Sequence, residues 1–412
     1  MLDKNNKRML AYVQEVKDVQ PLFFQKDDAA SGKKVGDEAD AIQKAHVLGW
    51  TLVIKKGEFK PGDKCVFFEI DSKLPSDNPA FAFLENKKYC VQTYKLNKFG
   101  VIGQGLILPL EALGLDPDLP VGTDLTDVLK VTYIDPEDVA RKADRRALKD
   151  QSKKSYMSKH KKFFGNWLVR KLMKLKFFRW LFLLGANGGK KDMKKAFPSE
   201  FVEKTDEERI QNEPWRLESK DPWVATEKID GTSTTWLLVR KGRNKFEFYV
   251  CSRNLRLFDP GEKCYMQADN IYWENAIKYN AEAQLKAYLL AHPNLKWACI
   301  QGESYGEGWQ GNPLKMKGHH FAAFNFKDSE RGRWPTPEGK ALLESWETPI
   351  PWVPILDTAF VMPDTVEELL QIATAKSVVN PAVLREGIVF RDQAGQESFK
   401  AVSPEYLMRR HQ

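Results

Sequence analysis

The sequence predicts an α+β protein built from three consecutive parts, and three observations support this prediction. Residues 8–133 contain short apolar and aromatic runs separated by glycine- and proline-rich turns. Lysine and arginine are concentrated between residues 134 and 200, and strand and helix patterns are mixed from residue 201 onward. A chain of 412 residues is long for a single hydrophobic core. We therefore expect domains at 1–133 and 201–412, with a linker or insertion at 134–200.

The N-terminal part is predicted to be a small β-barrel. Its clearest stretch is VLGWTLVIKKGEFKPGDKCVFFEI, in which apolar runs flank the turn-forming segment KKGEFKPGDK. A second run, FGVIGQGLILPL, follows at residues 99–110. Several strands with glycine-rich turns and little helical periodicity indicate a barrel or sandwich, and a length of about 125 residues suits an OB-type barrel.

The middle part carries the positive charge of the chain. Residues 141–195 contain 19 Lys or Arg and 3 Asp, whereas the whole chain has a net charge of +8, so the remainder is net acidic. Basic residues alternate there with apolar residues at helical spacing. The apolar positions are Trp167, Leu168, Leu172, Leu175, Phe178 and Leu181. Such a basic amphipathic helix suits a linker packed on a domain, a contact with nucleic-acid phosphates, or an anionic membrane surface. Its apolar core is too short to span a bilayer.

The C-terminal part is predicted to be an α+β domain. Strands are expected in WVATEKIDGTSTTWLLV, KFEFYVCSR, WACIQGESYG, HHFAAFNF and REGIVFR. Helices are expected in ENAIKYNAEAQLKAYLLAH and DTVEELLQIATAK.

Neither secretion nor thiolate–metal chemistry is predicted. The N-terminal stretch MLDKNNKRMLAYV lacks the apolar core and cleavage site of a signal peptide, so we expect an intracellular protein, cytoplasmic or nuclear. The cysteines form no C-x-x-C pair, and all five are expected to be small core residues. They are Cys65, Cys90, Cys251, Cys264 and Cys299.

The leading catalytic candidate is Lys228, the first residue of the K-I-D-G segment at 228–231. This segment lies between an apolar strand that begins at Trp223 and the polar run at 232–235. By itself the motif is compatible with a surface turn. Its significance depends on the residues that follow it in order.

Candidate binding residues follow the lysine along the chain. Arg253 closes the next strand, where it could reach a nucleotide sugar or a nucleic-acid end. Glu303 follows a glycine that permits close backbone approach, and its carboxylate could bind a ribose hydroxyl or a metal shell. Phe321 and Phe324 lie on an aromatic strand, where a ring could stack on adenine.

Two further candidates complete the series. Glu386 precedes a buried strand and is well placed to engage a hard divalent cation. Lys400 is in reach of a phosphate if its strand and the strand after Glu386 are neighbours. Taken singly, each of these residues is also compatible with a structural role, and their shared order is what indicates a nucleotide site.

That order resembles the covalent nucleotidyltransferase superfamily of ATP-dependent ligases and RNA capping enzymes. Within it, the chain is most similar to the Deinococcus/Naegleria type of RNA ligase, which joins an N-terminal OB domain to a C-terminal nucleotidyltransferase domain, an ATP-grasp-like ligase fold. AHVLGWTLVIKKGEFKPGDKCVFFEIDSKLP and GQGLILPL resemble that OB domain, and KTDEERIQN at 204–212 resembles its lead-in to the nucleotide pocket. Two features depart from the family pattern. The basic segment is longer than is expected in the family, and Val402 stands where a second lysine usually follows Lys400.

The resemblance implies a role for each candidate. Lys228 would attack the α-phosphate of ATP and carry AMP, while Mg²⁺ or Mn²⁺ would be held largely through water by Asp230, Glu303 and Glu386. Arg209 and Gln211 are weaker candidates for offsetting the charge of the triphosphate. The nucleotide-binding residues implied in this way are Glu227, Arg253, Glu303, Phe321, Phe324 and Lys400, with Arg209 and Gln211.

The implied activity is ATP-dependent sealing of RNA 5′-phosphate and 3′-hydroxyl ends by a monomer, most simply in a nicked duplex. A capping guanylyltransferase uses the same lysine chemistry with GTP, but its OB domain follows the nucleotidyltransferase domain. A DNA ligase is a further alternative, because sequence alone reads sugar preference poorly. A non-catalytic nucleic-acid-binding module with a degenerate pocket is another, against which the intact Lys228, Asp230, Glu303 and Glu386 argue.

Overall fold

The computed structural model describes residues 8–28, 30–133, 169, 195–257 and 270–410. Apart from Val169, the predicted basic helix lies outside the described residues, as does Cys264. Among the helices of the described ranges, none is both long and apolar enough to cross a membrane.

The N-terminal domain consists of short antiparallel strands. The strands are β1 Ala11–Glu15, β2 Asp18–Phe23, β3 Glu38–Val47, β4 Trp50–Lys55, β5 Lys64–Phe68, β6 Ser72–Lys73, β7 Tyr94–Leu96, β8 Val101–Gly103, β9 Leu106–Leu108 and β10 Thr132–Tyr133. They form two three-stranded sheets, ordered β1-β5-β9 and β2-β3-β4, and the two pairs β6–β10 and β7–β8.

Strand alternation explains the core of this domain. Along β4, the side chains of Trp50, Leu52 and Ile54 are buried and those between them are more exposed, which is the period-two pattern of a strand with one face on a core. They pack with Phe67 of β5 in one cluster. The strands predicted on either side of the KKGEFKPGDK turn are therefore confirmed as β4 and β5.

The C-terminal domain contains two larger sheets flanked by helices. Its strands are β11 Lys195–Ala196, β12 Trp223–Lys228, β13 Thr232–Gly242, β14 Lys245–Ser252, β15 Leu255–Arg256, β16 Trp297–Gly306, β17 His319–Asp328, β18 Gly332–Arg333, β19 Ile355–Phe360, β20 Gly387–Asp392 and β21 Ser398–Val402. Its α-helices are α1 Ile271–Lys278, α2 Ala281–Ala291, α3 Thr336–Glu344, α4 Val366–Ala373 and α5 Pro404–Arg410.

The two sheets meet at the K-I-D-G segment. One sheet has the order β11-β15-β14-β13-β16-β17-β18 and the other the order β19-β12-β20-β21. Lys228 is the last residue of β12 in the four-stranded sheet, and Thr232 is the first residue of β13 in the seven-stranded sheet. The chain therefore changes sheets within residues 229–231, which places Lys228 between them.

The structure corrects three local predictions. The strand expected over WVATEKIDGTSTTWLLV is interrupted at 229–231. The helix expected over 274–292 is two helices, because Asn280 adopts a left-handed conformation with φ of 48°, which asparagine tolerates better than most residues. Cys90 is only half-buried, whereas Cys65, Cys251 and Cys299 lie in the core as expected.

The two domains contact each other directly. The side chain of Arg8 forms an ion pair of 2.9 Å with Glu208, near the start of the C-terminal domain. On another side of the interface, Lys95 Nζ donates a hydrogen bond of 2.6 Å to the backbone oxygen of Met408 in α5. The N-terminal domain is thus held against elements that lead into the site between the sheets.

Candidate active site

A cavity of about 350 Å³ lies between the two sheets of the C-terminal domain. Strands from both sheets contribute to its wall, and most of the residues predicted for a nucleotide site border it. These residues are Glu227, Lys228, Asp230, Arg253, Glu303, Phe324, Glu386 and Lys400. Residues scattered over more than 170 positions of sequence are therefore brought to one place.

Lys228 is held as a cation within this cavity. Its Nζ lies 2.7 Å from Oε2 of Glu386, which directly precedes β20. Burial alone would lower the pKa of Lys228, but the carboxylates of Glu386, Glu303 and Asp230 outweigh it and raise the pKa above its ordinary value. An amine with a raised pKa is a poor nucleophile, so its proton and its ion pair must be released before it can attack.

Glu303 shows that negative charge is in excess here. Burial is the main cause that raises the pKa of Glu303 to about 8. The charge of Lys228 opposes this rise, and the charges of Glu386 and Asp230 add to it. Three carboxylates surround one ammonium group, an arrangement to which a divalent cation would bring the missing positive charge. Within the described ranges, no group of three or more His, Cys, Asp or Glu side chains has the geometry of a directly ligated metal site.

Two glycines allow the motif segments to approach each other. A Cβ at Gly231 would lie 2.3 Å from the backbone oxygen of Ser304, and the Gly231 amide donates to Glu303 at 3.2 Å. A Cβ at Gly302 would lie 2.3 Å from the Phe321 ring. The predicted close backbone approach beside Glu303 is confirmed, and glycine is the residue that permits it.

Two of the cations predicted for the nucleotide site, Arg253 and Lys400, meet at Asp206. Its Oδ2 lies 2.7 Å from Arg253 Nη2, and its Oδ1 lies 3.4 Å from Lys400 Nζ. Lys400 reaches this place because β20 and β21 are neighbouring strands, the condition on which its prediction depended. Burial, and then the charge of Lys228, lowers the pKa of Lys400. Sequence reasoning did not single out Asp206, although it lies within the KTDEERIQN segment.

Phe324 and Phe321 have different environments. Phe324 borders the cavity together with Val353 and Val389. Phe321 is only 1% exposed, and its ring stacks on Trp236 with the centroids 4.0 Å apart. Phe321 belongs to the hydrophobic core cluster behind the seven-stranded sheet and is not among the residues that border the cavity. The prediction that Phe321 meets adenine is therefore wrong, and Phe321 is a core residue.

The carboxylate of Glu227 has a structural role, although the residue borders the cavity and its contact with the nucleotide stays a prediction. It is 1% exposed and accepts hydrogen bonds from the Ser377 hydroxyl and, at 2.7 Å, from the backbone N–H of Val378. Adjacent residues of a strand point to opposite faces, so this carboxylate faces away from Lys228. It instead anchors the segment that leads to Glu386.

Arg209 and Gln211 lie outside the cavity wall. The guanidinium of Arg209 lies 5.6 Å from the ring centre of Trp50, at the contact with the N-terminal domain. Burial lowers the pKa of Arg209, against the opposing charges of Glu386 and Asp71. Gln211 is buried at 3% exposure. Neither residue is among those that border the cavity, and their role at the triphosphate stays a prediction.

Arg391 is a cavity residue that sequence reasoning missed. Its side chain is 2% exposed, and burial lowers its pKa to about 10. The guanidinium lies 3.5 Å from Glu207 and donates to the Thr226 hydroxyl at 3.3 Å, while its centre lies 5.7 Å from the Phe324 ring. The available signal in the sequence was an arginine at the end of the apolar strand pattern REGIVFR. A charged residue in a buried strand is seldom without a partner, so its position indicated a polar site.

Comparison with known proteins agrees with this geometry. Residues 29–110 match an OB-fold domain, and residues 221–402 match the RNA ligase family. A lysine among three carboxylates between two sheets, next to an OB-fold domain, defines a nucleotidyltransferase of the ligase class. In this chain an OB-fold domain therefore precedes an RNA ligase domain.

Solved structures of one protein are similar to the chain over nearly its whole length. The structure of Naegleria gruberi RNA ligase with PPi is 28% identical, covers 98% of this chain and 99% of its own, and has a TM-score of 0.59. A variant of that enzyme with AMP and Mn gives 28% identity, the same coverage and a TM-score of 0.60. Another variant, with ATP and Mn, is 27% identical, covers 98% of this chain and 98% of its own, and has a TM-score of 0.58. No curated protein matches the chain by sequence.

Proposed function

We propose that the chain seals RNA 5′-phosphate and 3′-hydroxyl ends in a nicked duplex, with ATP as the nucleotide and Mg²⁺ or Mn²⁺ as the metal ion. The observation that carries the proposal is the half-buried Lys228, which borders the cavity between the two sheets together with three carboxylates and the cations Arg253 and Lys400. Structures of the similar Naegleria gruberi RNA ligase with ATP and Mn support the choice of nucleotide and metal.

We also propose that the chain is divided where its composition changes, near residues 134 and 200. Residues 1–133 form the OB-type domain, 134–200 the basic linker or insertion, and 201–412 the nucleotidyltransferase domain. The matched ranges 29–110 and 221–402 fall inside the first and last of these.

In the first step, Lys228 forms a bond to phosphorus. Lys228 gives up its ion pair with Glu386 and its proton, and its Nζ attacks the α-phosphorus of ATP. An N–P bond forms, the bond to the bridging oxygen breaks, and pyrophosphate leaves. A divalent cation, when held by Asp230, Glu303 and Glu386 through water, supplies positive charge that lowers the pKa of Lys228.

The remaining residues would position the nucleotide. Lys400 and Arg253 are the cations on the wall that Asp206 occupies, and they would offset charge on the phosphates as pyrophosphate departs. Phe324 is the ring that would stack on adenine, since Phe321 is in the core.

In the second and third steps, AMP moves to RNA and is then released. The RNA 5′-phosphate attacks the phosphorus held on Lys228, which forms an anhydride and frees the lysine. The RNA 3′-hydroxyl attacks the 5′-phosphorus, a phosphodiester forms, and AMP leaves. A duplex would hold both ends together, and the OB-type domain would grip its backbone.

The first step is tested by intact-protein mass spectrometry after incubation with ATP and Mn²⁺. We expect one AMP adduct on the wild-type chain and none on Lys228→Arg, because arginine stays protonated and cannot act as the nucleophile. GTP in place of ATP distinguishes the ligase from a capping enzyme. An adduct that survives in Lys228→Arg would refute the assignment of the nucleophile.

The substrate is tested with the purified adduct. We expect it to seal a nicked duplex with an RNA 3′-hydroxyl strand faster than the same two strands without a template. Equal rates would show that a duplex is not the preferred substrate while leaving the lysine chemistry intact.

A further inference from the structure

The side chain of Asp230, two residues after the nucleophile, has a tyrosine as a hydrogen-bond donor. The hydroxyl of Tyr406 donates to Oδ2 of Asp230. Both residues are 6% exposed, so solvent competes little for this bond. Tyr406 belongs to the C-terminal helix α5, an element outside both sheets and without any predicted role.

The turn before α5 also contacts the backbone of Glu386, whose carboxylate lies beside Lys228. The amide of Ser403 donates to the backbone oxygen of Glu386 at 2.9 Å, and the Ser403 hydroxyl accepts from the amide of Tyr406 at 3.1 Å. One short segment therefore holds the backbone of Glu386 and the side chain of Asp230.

The other end of α5 is attached to the N-terminal domain. Lys95 Nζ donates to the backbone oxygen of Met408 at 2.6 Å. The last carbonyl groups of a helix have no partners within the helix and carry partial negative charge, so a lysine there stabilises the helix end. Helix α5 thus joins the OB-type domain to Asp230.

We propose that Tyr406 is a positioning residue for Asp230, and that α5 connects the OB-type domain to the nucleotide site. This inference rests on the proposed function, since it concerns the efficiency of the lysine step. With Oδ2 fixed by the phenol, the carboxylate of Asp230 has one orientation toward the cavity. Without the phenol, a buried carboxylate turns toward another donor, and its alignment beside Lys228 is lost.

The test is the rate of AMP adduct formation by Tyr406→Phe, which removes the hydroxyl and keeps the ring. We expect the maximal rate to fall by about 10- to 100-fold, as is typical for partners that orient metal-site carboxylates. The half-saturating Mn²⁺ concentration should rise, whereas the half-saturating ATP concentration should stay within about twofold of wild type, because Tyr406 is not among the residues bordering the cavity.

Tyr288→Phe is the matched control. The Tyr288 hydroxyl likewise donates to a buried carboxylate, Asp328, at 3.2 Å, but this pair is in the core of the seven-stranded sheet. Both variants lose one buried hydrogen bond, so thermal unfolding should detect both. Only Tyr406→Phe should change the adduct rate and its Mn²⁺ dependence.

The connection through α5 is tested by a double-mutant cycle. Lys95→Met alone should slow adduct formation by severalfold, and its effect should shrink in the Tyr406→Phe background, because both changes act on one path. In the Tyr288→Phe background the effect of Lys95→Met should be unchanged.

The outcomes separate the inference from the function on which it rests. No adduct on the wild-type chain would refute the proposed function. An adduct with the same rate and Mn²⁺ dependence in wild type and folded Tyr406→Phe would overturn the positioning role alone. Full additivity of Lys95→Met and Tyr406→Phe, or no effect of Lys95→Met, would overturn the connection to the OB-type domain. If Tyr406→Phe does not fold, the Lys95→Met rate and its Mn²⁺ dependence decide the matter.

Discussion

At the scale of single residues, Asp206 links the two cations that we propose offset charge on the phosphates of ATP. Its carboxylate lies within ion-pair distance of Arg253 and Lys400, and it is largely exposed. A polyphosphate bound to those cations must compete with Asp206. The residue would therefore weaken nucleotide binding while keeping the two cations at a fixed spacing.

Asp206→Asn should lower the half-saturating ATP concentration for adduct formation. An exposed ion pair is worth about 0.2–1 kcal/mol, so the loss of two such pairs predicts a decrease of about two- to thirtyfold. Asp364→Asn is a suitable control, since that carboxylate pairs with Lys220 on the surface at 3.1 Å. A raised half-saturating concentration in Asp206→Asn would show instead that Asp206 assists binding.

Glu303 gives the folded chain a pH-dependent stability. Its pKa is about 8 in the folded state, compared with about 4.3 in an unfolded chain. Folding raises the pKa, so the folded state binds this proton more tightly. The contribution of Glu303 is fully present below about pH 4 and is lost as the pH rises through about 8.

Thermal unfolding of wild type and Glu303→Gln without divalent metal tests this sign. The unfolding temperature of wild type should fall relative to that of Glu303→Gln between pH 5.5 and 8.5, and added Mn²⁺ should reduce the difference. A difference that does not depend on pH would contradict the excess of negative charge inferred at this site.

The sequence predicted the residues of the site better than their orientation. Lys228, Glu303 and Lys400 border the cavity because each motif ends or lies on a strand of the facing sheets. Phe321 was misassigned because sequence proximity to a motif does not say whether a side chain packs in the core or borders a cavity. The register of β17 shifts at Phe324, between Ala323 and Asn325, so the alternation of a regular strand could not have separated the two rings in advance.

At the scale of elements, the crossing at 229–231 depends on glycine. Gly231 packs on the backbone of Ser304 with no room for a side chain, and backbone atoms cannot move aside as a flexible side chain can. This is the physical reason for glycine in the K-I-D-G motif.

Gly231→Ala should reduce the free energy of unfolding by about 1–3 kcal/mol, as overpacking does in other cores. It should also slow adduct formation, because Lys228 and Asp230 flank the displaced backbone. Gly242→Ala is the matched control. Gly242 lies at the far end of β13, the strand that follows Gly231, and a Cβ there would make an ordinary contact of 3.7 Å with Lys245. Urea unfolding and adduct rates measure both effects, and equal behaviour of the two variants would refute the steric argument.

Element types were predictable where the apolar periodicity was strong. Strands β12, β14 and β16 and helix α4 lie within the stretches predicted for them, while β17 and β20 overlap theirs and end one or two residues later. The break at Asn280 was not predictable, because the apolar pattern continues across it while a single backbone conformation ends the helix. Helix α5 begins with a proline and is too short to show periodicity, so the element that carries Tyr406 was missed.

At the scale of the whole molecule, the order of the domains was predictable and their contact was not. The composition changes near residues 134 and 200 indicate two domains and an intervening segment. The contact depends on single side chains, such as Arg8 with Glu208 and Lys95 with Met408, whose own segments contain no pattern that indicates a partner.

The last prediction concerns the basic segment between the domains, where 19 Lys or Arg occur in residues 141–195. We predict that these residues contact RNA phosphates. Replacing the lysines and arginines at 141–194 with glutamine keeps the chain length and leaves β11, which begins at Lys195, unchanged. Each phosphate neutralised by Lys or Arg adds to the slope of log affinity against log salt, so the variant should bind nicked RNA more weakly and with a flatter slope. Adduct formation with ATP should be nearly unchanged, because that step involves only a small nucleotide in the cavity beside Lys228.

An unchanged salt slope would reject the RNA contact and leave two other roles for the segment. Lower thermal stability together with slower adduct formation would indicate that it packs on a domain. Loss of binding to anionic vesicles would indicate a membrane surface, since a basic segment near such a surface gains about 1 kcal/mol per Lys or Arg. Measuring the salt slope, the adduct rate and vesicle co-sedimentation on this one variant separates the three roles, because each changes a different quantity.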